Sequence, residues 1–177
     1  MKQTMLAVFA DKDEADSAIT ELEDDGYDPK DISVVMKEEN IREIGSKGGS
    51  AFSGTVTGLT TGGVLGGLAG LLVGVGAIAI PGIGAVLIGG PLAAALGLTG
   101  AAATTVAGAA TGVLAGGIVG VLVDIGVPEH TARDYESTIK REGAILLAVP
   151  INSKDDASEV KTIFSKYNAD KIRTVSN

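Results

Sequence analysis

The chain has 177 residues and a formal net charge of -8, and it is 45% apolar but only 3% aromatic, with no tryptophan. Its apolar mass is therefore Ala, Val, Leu, Ile and Gly, which is unusual for a globular core. The acidic balance without a basic stripe excludes nucleic acid as a partner and disfavours simple electrostatic docking on anionic lipid. The absence of cysteine excludes a disulfide framework, a thiolate zinc site and a cysteine nucleophile.

At the start, one lysine precedes a short apolar run, and acid follows where a small-residue cleavage site would stand. This argues against a signal peptide and places the chain in the cytoplasm. Thr4–Ala10 predicts a buried strand. Asp11 is placed to cap a helix, with Asp13 and Glu14 favourable in its first turn. Ala15, Ala18, Ile19 and Leu22 share one face of that helix, and Gly26 stops it ahead of Pro29. Ile32–Lys37, ISVVMK, predicts a second strand.

The composition then changes abruptly. Gly48–Val123 contains no Asp, Glu, Lys, Arg or His in 76 residues, and Gly45–Gly126 holds 24 of the 26 glycines. Beyond it, Pro128 suits the first turn of a helix that carries Ala132, Tyr135 and Ile139 inward and stops at Gly143. Ala144–Ile151, AILLAVPI, predicts a buried strand. Ser153 and Asp156 resemble a capping box for a helix lined by Ala157, Val160, Ile163, Phe164 and Tyr167. Lys171–Val175 closes as a last strand.

Without the middle stretch the order is β-α-β, then α-β-α-β. This predicts an α+β fold: a ferredoxin-like split α/β sandwich interrupted by a long apolar glycine-zipper α-helical hairpin. The boundaries are 1–44 for the first half of the α/β domain, 45–126 for the hairpin and 127–177 for the second half. The most apolar strands, MLAVF and ILLAV, are expected as the central pair. Each half offers only two strands, fewer than independent stability requires, so the halves must fold together.

Both ends of the insertion attach to one domain, so it must leave and return on the same side, and two arms fit its length. Pro81, Gly82, Gly84, Gly89, Gly90 and Pro91 cluster at the midpoint and predict the tip near 80–91. Arm A would run over Gly49–Ile80 and arm B over Pro91–Val123. Each could reach roughly 45 Å as helix, longer than a bilayer core of about 30 Å.

Arm A carries Gly54, Gly58, Gly62, Gly66, Gly70 and Gly74 at a spacing of four, with Gly63 and Gly67 as a parallel row. Arm B repeats the spacing at Gly108, Gly112, Gly116 and Gly120. Such rows let helix backbones approach closely. Each glycine costs about 1 kcal/mol in an isolated helix, so the pattern requires packing that offsets the cost. The row also drifts by about 40° per step, more than one partner helix can cover. The glycines are thus expected to mediate helix packing and homo-oligomerisation. A flexible linker does not fit the interleaved Leu, Ile and Val, and a parallel β-solenoid is a further alternative.

Catalytic signals are weak. His130 is the only histidine, so neither a Ser-His-Asp arrangement nor a multi-histidine metal site is supported. Asp11, Asp13, Glu14 and Asp16 lack the glycine and distal glutamate of a calcium loop and read as a helix start. The partial G-x-G pairs at Gly74, Gly76 and at Gly82, Gly84 have no completing glycine, and no phosphate-binding loop motif exists. No catalytic, cofactor or metal residue is assigned, and no nucleotide partner is expected.

The opening AVFADKDEADSAITELEDDGYDPKDISVV, the middle AIPGIGAVLIGGPLAAAL and the exit GVPEHTARDYESTIKREGAILLAVPI together resemble the bacterial general stress proteins of the heat-induced (YflT-like) and low-temperature-induced type. The resemblance implies a non-enzymatic, stress-associated protein in which a small α/β domain flanks a glycine-zipper segment. It transfers no catalytic residue. The threonines Thr55, Thr57, Thr60, Thr61, Thr104, Thr105 and Thr111 depart from the family pattern and weaken a lipid-facing role, although threonine also suits a packed helix interface.

These observations leave competing functions. The leading expectation is a stress-response protein whose hairpin inserts into membrane lipid at the cytoplasmic face of the inner membrane and homo-oligomerises there. The alternative is a cytoplasmic soluble self-assembling particle in which hairpins form a shared apolar core and acidic domains coat it. A second alternative is a small-molecule sensor on the ferredoxin-like face.

Overall fold

Alternate residues of Gln3–Phe9 (β1) point to opposite sides of a sheet, and both sides are buried. Met5, Ala7 and Phe9 enter one apolar cluster while Leu6 and Val8 enter a second. A strand covered on both faces reads as a continuous apolar run, hence TMLAVF. The same alternation runs through Ser33–Lys37 (β2) and Ile145–Ile151 (β5), whose Leu147 and Val149 face the first cluster and Leu146 and Ala148 the second. The computed structural model describes residues 3–37, 39, 76–80, 84–95 and 111–176.

The chain forms a mixed α+β structure around one antiparallel sheet. Its further elements are α1 (Lys12–Asp24), a short 3-10 turn (Pro29–Asp31), β3 (Gly76–Ile80), β4 (Gly84–Gly89), α2 (Pro91–Ala95), α3 (Thr111–Asp124), α4 (Glu129–Glu142), α5 (Lys154–Lys166) and β6 (Asp170–Ser176). The six strands lie in the order β3-β4-β2-β5-β1-β6, each antiparallel to its neighbours. β1 and β5 pair along their whole length, from Gln3 opposite Ile151 to Phe9 opposite Ile145. Because β5 sits between β1 and β2, neither half of the chain can complete its own sheet.

Helices α1 and α5 cover one face. Asp11 caps α1 by accepting from the Asp13 N–H at 2.7 Å and the Glu14 N–H at 3.3 Å. Ala15, Ala18, Ile19 and Leu22 on α1 pack with Val160, Ile163 and Phe164 on α5 over the sheet, and the Phe9 and Phe164 rings meet edge to face at 5.6 Å. Ser153 and Asp156 form the expected box: the Asp156 N–H donates to Ser153 Oγ at 3.0 Å, and the Asp156 carboxylate accepts from the Asn152 N–H at 3.1 Å and from the Ser153 hydroxyl. These bonds hold the Asp156 carboxyl below its ordinary range. Helices α1, α3 and α5 end alike, the Tyr27, Val127 and Ala169 N–H groups reaching back to the Leu22, Leu122 and Phe164 carbonyls.

The other face is covered by α2, α3 and α4, with Leu92, Ile118, Val121, Leu122, Tyr135 and Ile139 over Leu6, Val8, Val35 and Leu146. Here the structure departs from the sequence expectation. The segment expected to finish helical arm A and form its tip is instead a β-hairpin, with β3 paired to β4 from Gly76 opposite Ile88 to Ile80 opposite Gly84. β4 joins the domain sheet against β2, placing Val34 opposite Gly89 and Lys37 opposite Val86. Val, Ile and Ala alternate here without a charge, and an available sheet edge outweighs helix periodicity for so short a run.

Within the stretch expected as one helical hairpin at 45–126, residues 76–80, 84–95 and 118–122 belong instead to the sheet and its second layer. Pro128 also stands one place earlier than expected, as the cap residue ahead of Glu129. Among the described residues no helix is long and apolar enough to cross a membrane.

Candidate functional site

Helix α3 is where the uncharged run meets the folded domain. Its sequence, TGVLAGGIVGVLVD, has no charge before Asp124. Ile118, Val121 and Leu122 are buried against the sheet's second face with the half-buried Val119 packed beside them, Gly120 is half-buried and Val123 is 41% exposed. A surface helix of a globular domain normally turns charged residues outward, as α1, α4 and α5 do here. Among its described side chains, α3 exposes Val123 and Asp124.

The helix is also broken. Gly117 has φ 55° and ψ -145°, a conformation essentially restricted to glycine. Gly112 and Gly116 precede the break and Gly120 follows it, so these three do not continue one four-residue row along a straight helix. Gly54, Gly58, Gly62, Gly63, Gly66, Gly67, Gly70, Gly74 and Gly108 lie outside the described residues.

The expected tip residues are dispersed. Pro81 and Gly82 lie outside the described residues, Gly84 and Gly89 begin and end β4, Gly90 is a turn and Pro91 opens α2. Gly90 has φ 75°, and a Cβ there would lie 2.1 Å from the Ile32 carbonyl oxygen. Beside it, the Leu92 N–H donates to the buried Ser33 Oγ at 3.1 Å. Gly90 and Ser33 thus lock the β4–α2 corner onto β2, a role the sequence reading missed. Its one signal was a serine inside the apolar run ISVVM, since a buried hydroxyl needs a partner.

The helical layer bearing α3 is tied to the far edge of the sheet through α4, against which α3 packs. The Tyr135 hydroxyl donates to the Lys171 carbonyl at 2.6 Å, and the Lys171 ammonium donates to Thr138 Oγ1 at 2.7 Å and pairs with Asp134 at 3.0 Å. Burial pushes the Tyr135 hydroxyl up to about 12.

A cleft of about 610 Å³ opens at the pole of the sheet where β1 begins and β5 ends, with Gln3, Thr4, Asp31 and Asn152 polar and Leu92, Ile125 and Ala148 apolar. Asp31 is the only charged residue among the described residues that line it, and Ser33, which also lines it, is engaged by Leu92. His130 is exposed near the start of α4.

Comparison with known protein families, with curated proteins and with solved structures returns no match.

Proposed function

We propose that the chain is a non-enzymatic stress-response protein that assembles with copies of itself through its uncharged glycine-rich stretch, the acidic α+β domain forming the solvent-facing coat. The α+β unit is read as a ferredoxin-like split sandwich, supported by β5 lying between β1 and β2 and β1 lying between β5 and β6. The stress-response part rests on the resemblance of the opening, middle and exit segments.

The observation that carries the assembly reading is the pairing of β4 with β2. It anchors the uncharged stretch to the sheet at 76–80 and 84–95, and burial of Ile118, Val121 and Leu122 anchors it again. What remains is 28 uncharged residues at 48–75 and 15 between α2 and α3. The first lies in the connection from β2 to β3 and the second joins α2 to α3, so each is flanked on both sides by elements of the one domain and any bilayer crossing must be matched by a return. Two crossings need about 40 apolar residues, more than either piece holds. This favours soluble self-assembly over the membrane-spanning hairpin expected first.

The test is size and fractionation of the full chain without detergent. A discrete multi-chain particle in the supernatant after carbonate extraction is the expected result. A single-chain mass, or retention in carbonate-washed membranes, overturns the proposal.

A further inference from the structure

A sheet edge presents a row of unpaired N–H and C=O groups, and proteins guard such edges with charge, proline or bulges. β6 is guarded. It contains Asp170, Lys171 and Arg173, its pairing with β1 shifts register between Leu6 and Val8, and Lys171 adopts φ 54°. β3 is not. Its sequence GAIAI has no charge and no proline, and it pairs with β4 through five successive positions without a shift. Among the described residues nothing pairs with its outer edge.

The inner pairing shows what the outer edge fits. Across from β3, β4 places Ile88 opposite Gly76, Val86 opposite Ile78 and Gly84 opposite Ile80. An antiparallel copy of β3 centred on Ile78 repeats that order, with Ile80 opposite Gly76, Ile78 opposite Ile78 and Gly76 opposite Ile80. The chain carries a net charge of -8, which opposes approach of two copies over most of their surface, but β3 lies within the uncharged stretch. Pairing there brings no like charges opposite one another.

We propose that the outer edge of β3 is a self-association site, pairing antiparallel with β3 of a second copy about a two-fold axis at Ile78 and continuing the sheet from one copy into the next. The proposal rests on the self-assembly reading and names one interface of that assembly. Backbone hydrogen bonds supply the contact, as in strand addition to an exposed edge, and the interface uses the same patch on both copies.

The chain has no cysteine, so Ile78→Cys introduces a single thiol. Directly opposed antiparallel residues have Cα atoms about 4.5–5.5 Å apart, within disulfide reach. On mild oxidation of the full chain, Ile78→Cys is expected to form linked dimers at least about tenfold faster than Arg173→Cys on the β6 edge, because pairing raises the local thiol concentration. Adding Ala77→Lys and Ala79→Lys to Ile78→Cys sets like charges opposite across the axis and is expected to remove that advantage.

Equal rates for Ile78→Cys and Arg173→Cys overturn the edge proposal. So does an Ile78→Cys chain that stays unlinked while the wild type sizes as a multi-chain particle, the result expected if a segment of the same chain or another protein covers β3. In both cases self-assembly itself survives. A wild-type chain that sizes as a monomer overturns both.

Discussion

Gly90 rests against the backbone of Ile32, so close that a Cβ at position 90 would lie 2.1 Å from the Ile32 carbonyl oxygen. This contact lets β4 turn into α2 over the start of β2. Gly26 also has positive φ, at 97°, but its Cβ would meet open space. Gly26→Ala is therefore expected to cost only backbone strain, about 1–2 kcal/mol. Gly90→Ala adds a clash with fixed backbone and should cost clearly more. Denaturant unfolding of both variants checks this, and equal losses would show that the corner can relax.

Leu122 anchors the end of the uncharged stretch in the second core. Leu122→Ala is expected to cost about 2–5 kcal/mol as a large-to-small core change. Gly117→Ala should instead act locally, forcing the break in α3 to rearrange. Hydrogen exchange over 118–122 should then rise in Gly117→Ala while the β1 and β5 amides stay protected. Unchanged exchange in α3 would contradict the strained conformation at Gly117.

The Tyr135 hydroxyl joins α4 to β6 through the Lys171 carbonyl. Tyr135→Phe is expected to cost about 1 kcal/mol, the net value of one hydrogen bond. The Tyr135 pKa is raised from 10.0 to about 12, so its contribution is present below pH 10 and is lost as pH rises through the folded-state value. The stability gap between wild type and Tyr135→Phe should therefore close in strongly alkaline buffer. Melting temperatures measured across that range decide the point.

Glu21 on α1 accepts from the Lys166 ammonium at 2.5 Å and from the Tyr167 hydroxyl at 2.6 Å, both from the end of α5. These bonds hold its carboxyl below the ordinary 4.5. A lowered pKa contributes stability above the unfolded value, and that contribution disappears as pH falls through the folded value. Glu21→Gln should lower the melting temperature at neutral pH and flatten its decline below pH 4.5. The change should be small, because the group is open to solvent. A variant with the same acid profile as wild type would show that this clamp contributes nothing.

The glycine rows have their own test. Replacing Gly62, Gly66 and Gly116 together by Leu blocks close backbone approach on either side of the β3–β4 hairpin in sequence. Light scattering should report a smaller assembly, and an unchanged particle would remove the rows from the interface.

Much of the α+β domain was legible from local chemistry. Asp11 and Ser153 with Asp156 marked helix starts, Gly26 and Gly143 marked stops, and the runs MLAVF and ILLAV marked strands buried on both faces. These signals are local, set by one cap hydrogen bond or one alternation. The β3–β4 hairpin was not legible, because GAIAI and AVLIG are apolar runs too short for periodicity to separate strand from helix. The glycine spacing before and after them then suggested helix across the whole stretch.

What the sequence by itself determined is that the chain carries a long uncharged, glycine-rich stretch inside an acidic α+β domain, since charge and helix caps are properties of residues and their nearest neighbours. Only the tertiary structure decided how that stretch is divided. β4 found the open edge of β2, Gly90 closed on Ile32, and Ile118 to Leu122 covered the second face of the sheet. Such pairings depend on which edge and which apolar face remain unsatisfied once the rest of the chain has folded, and no local pattern carries that information.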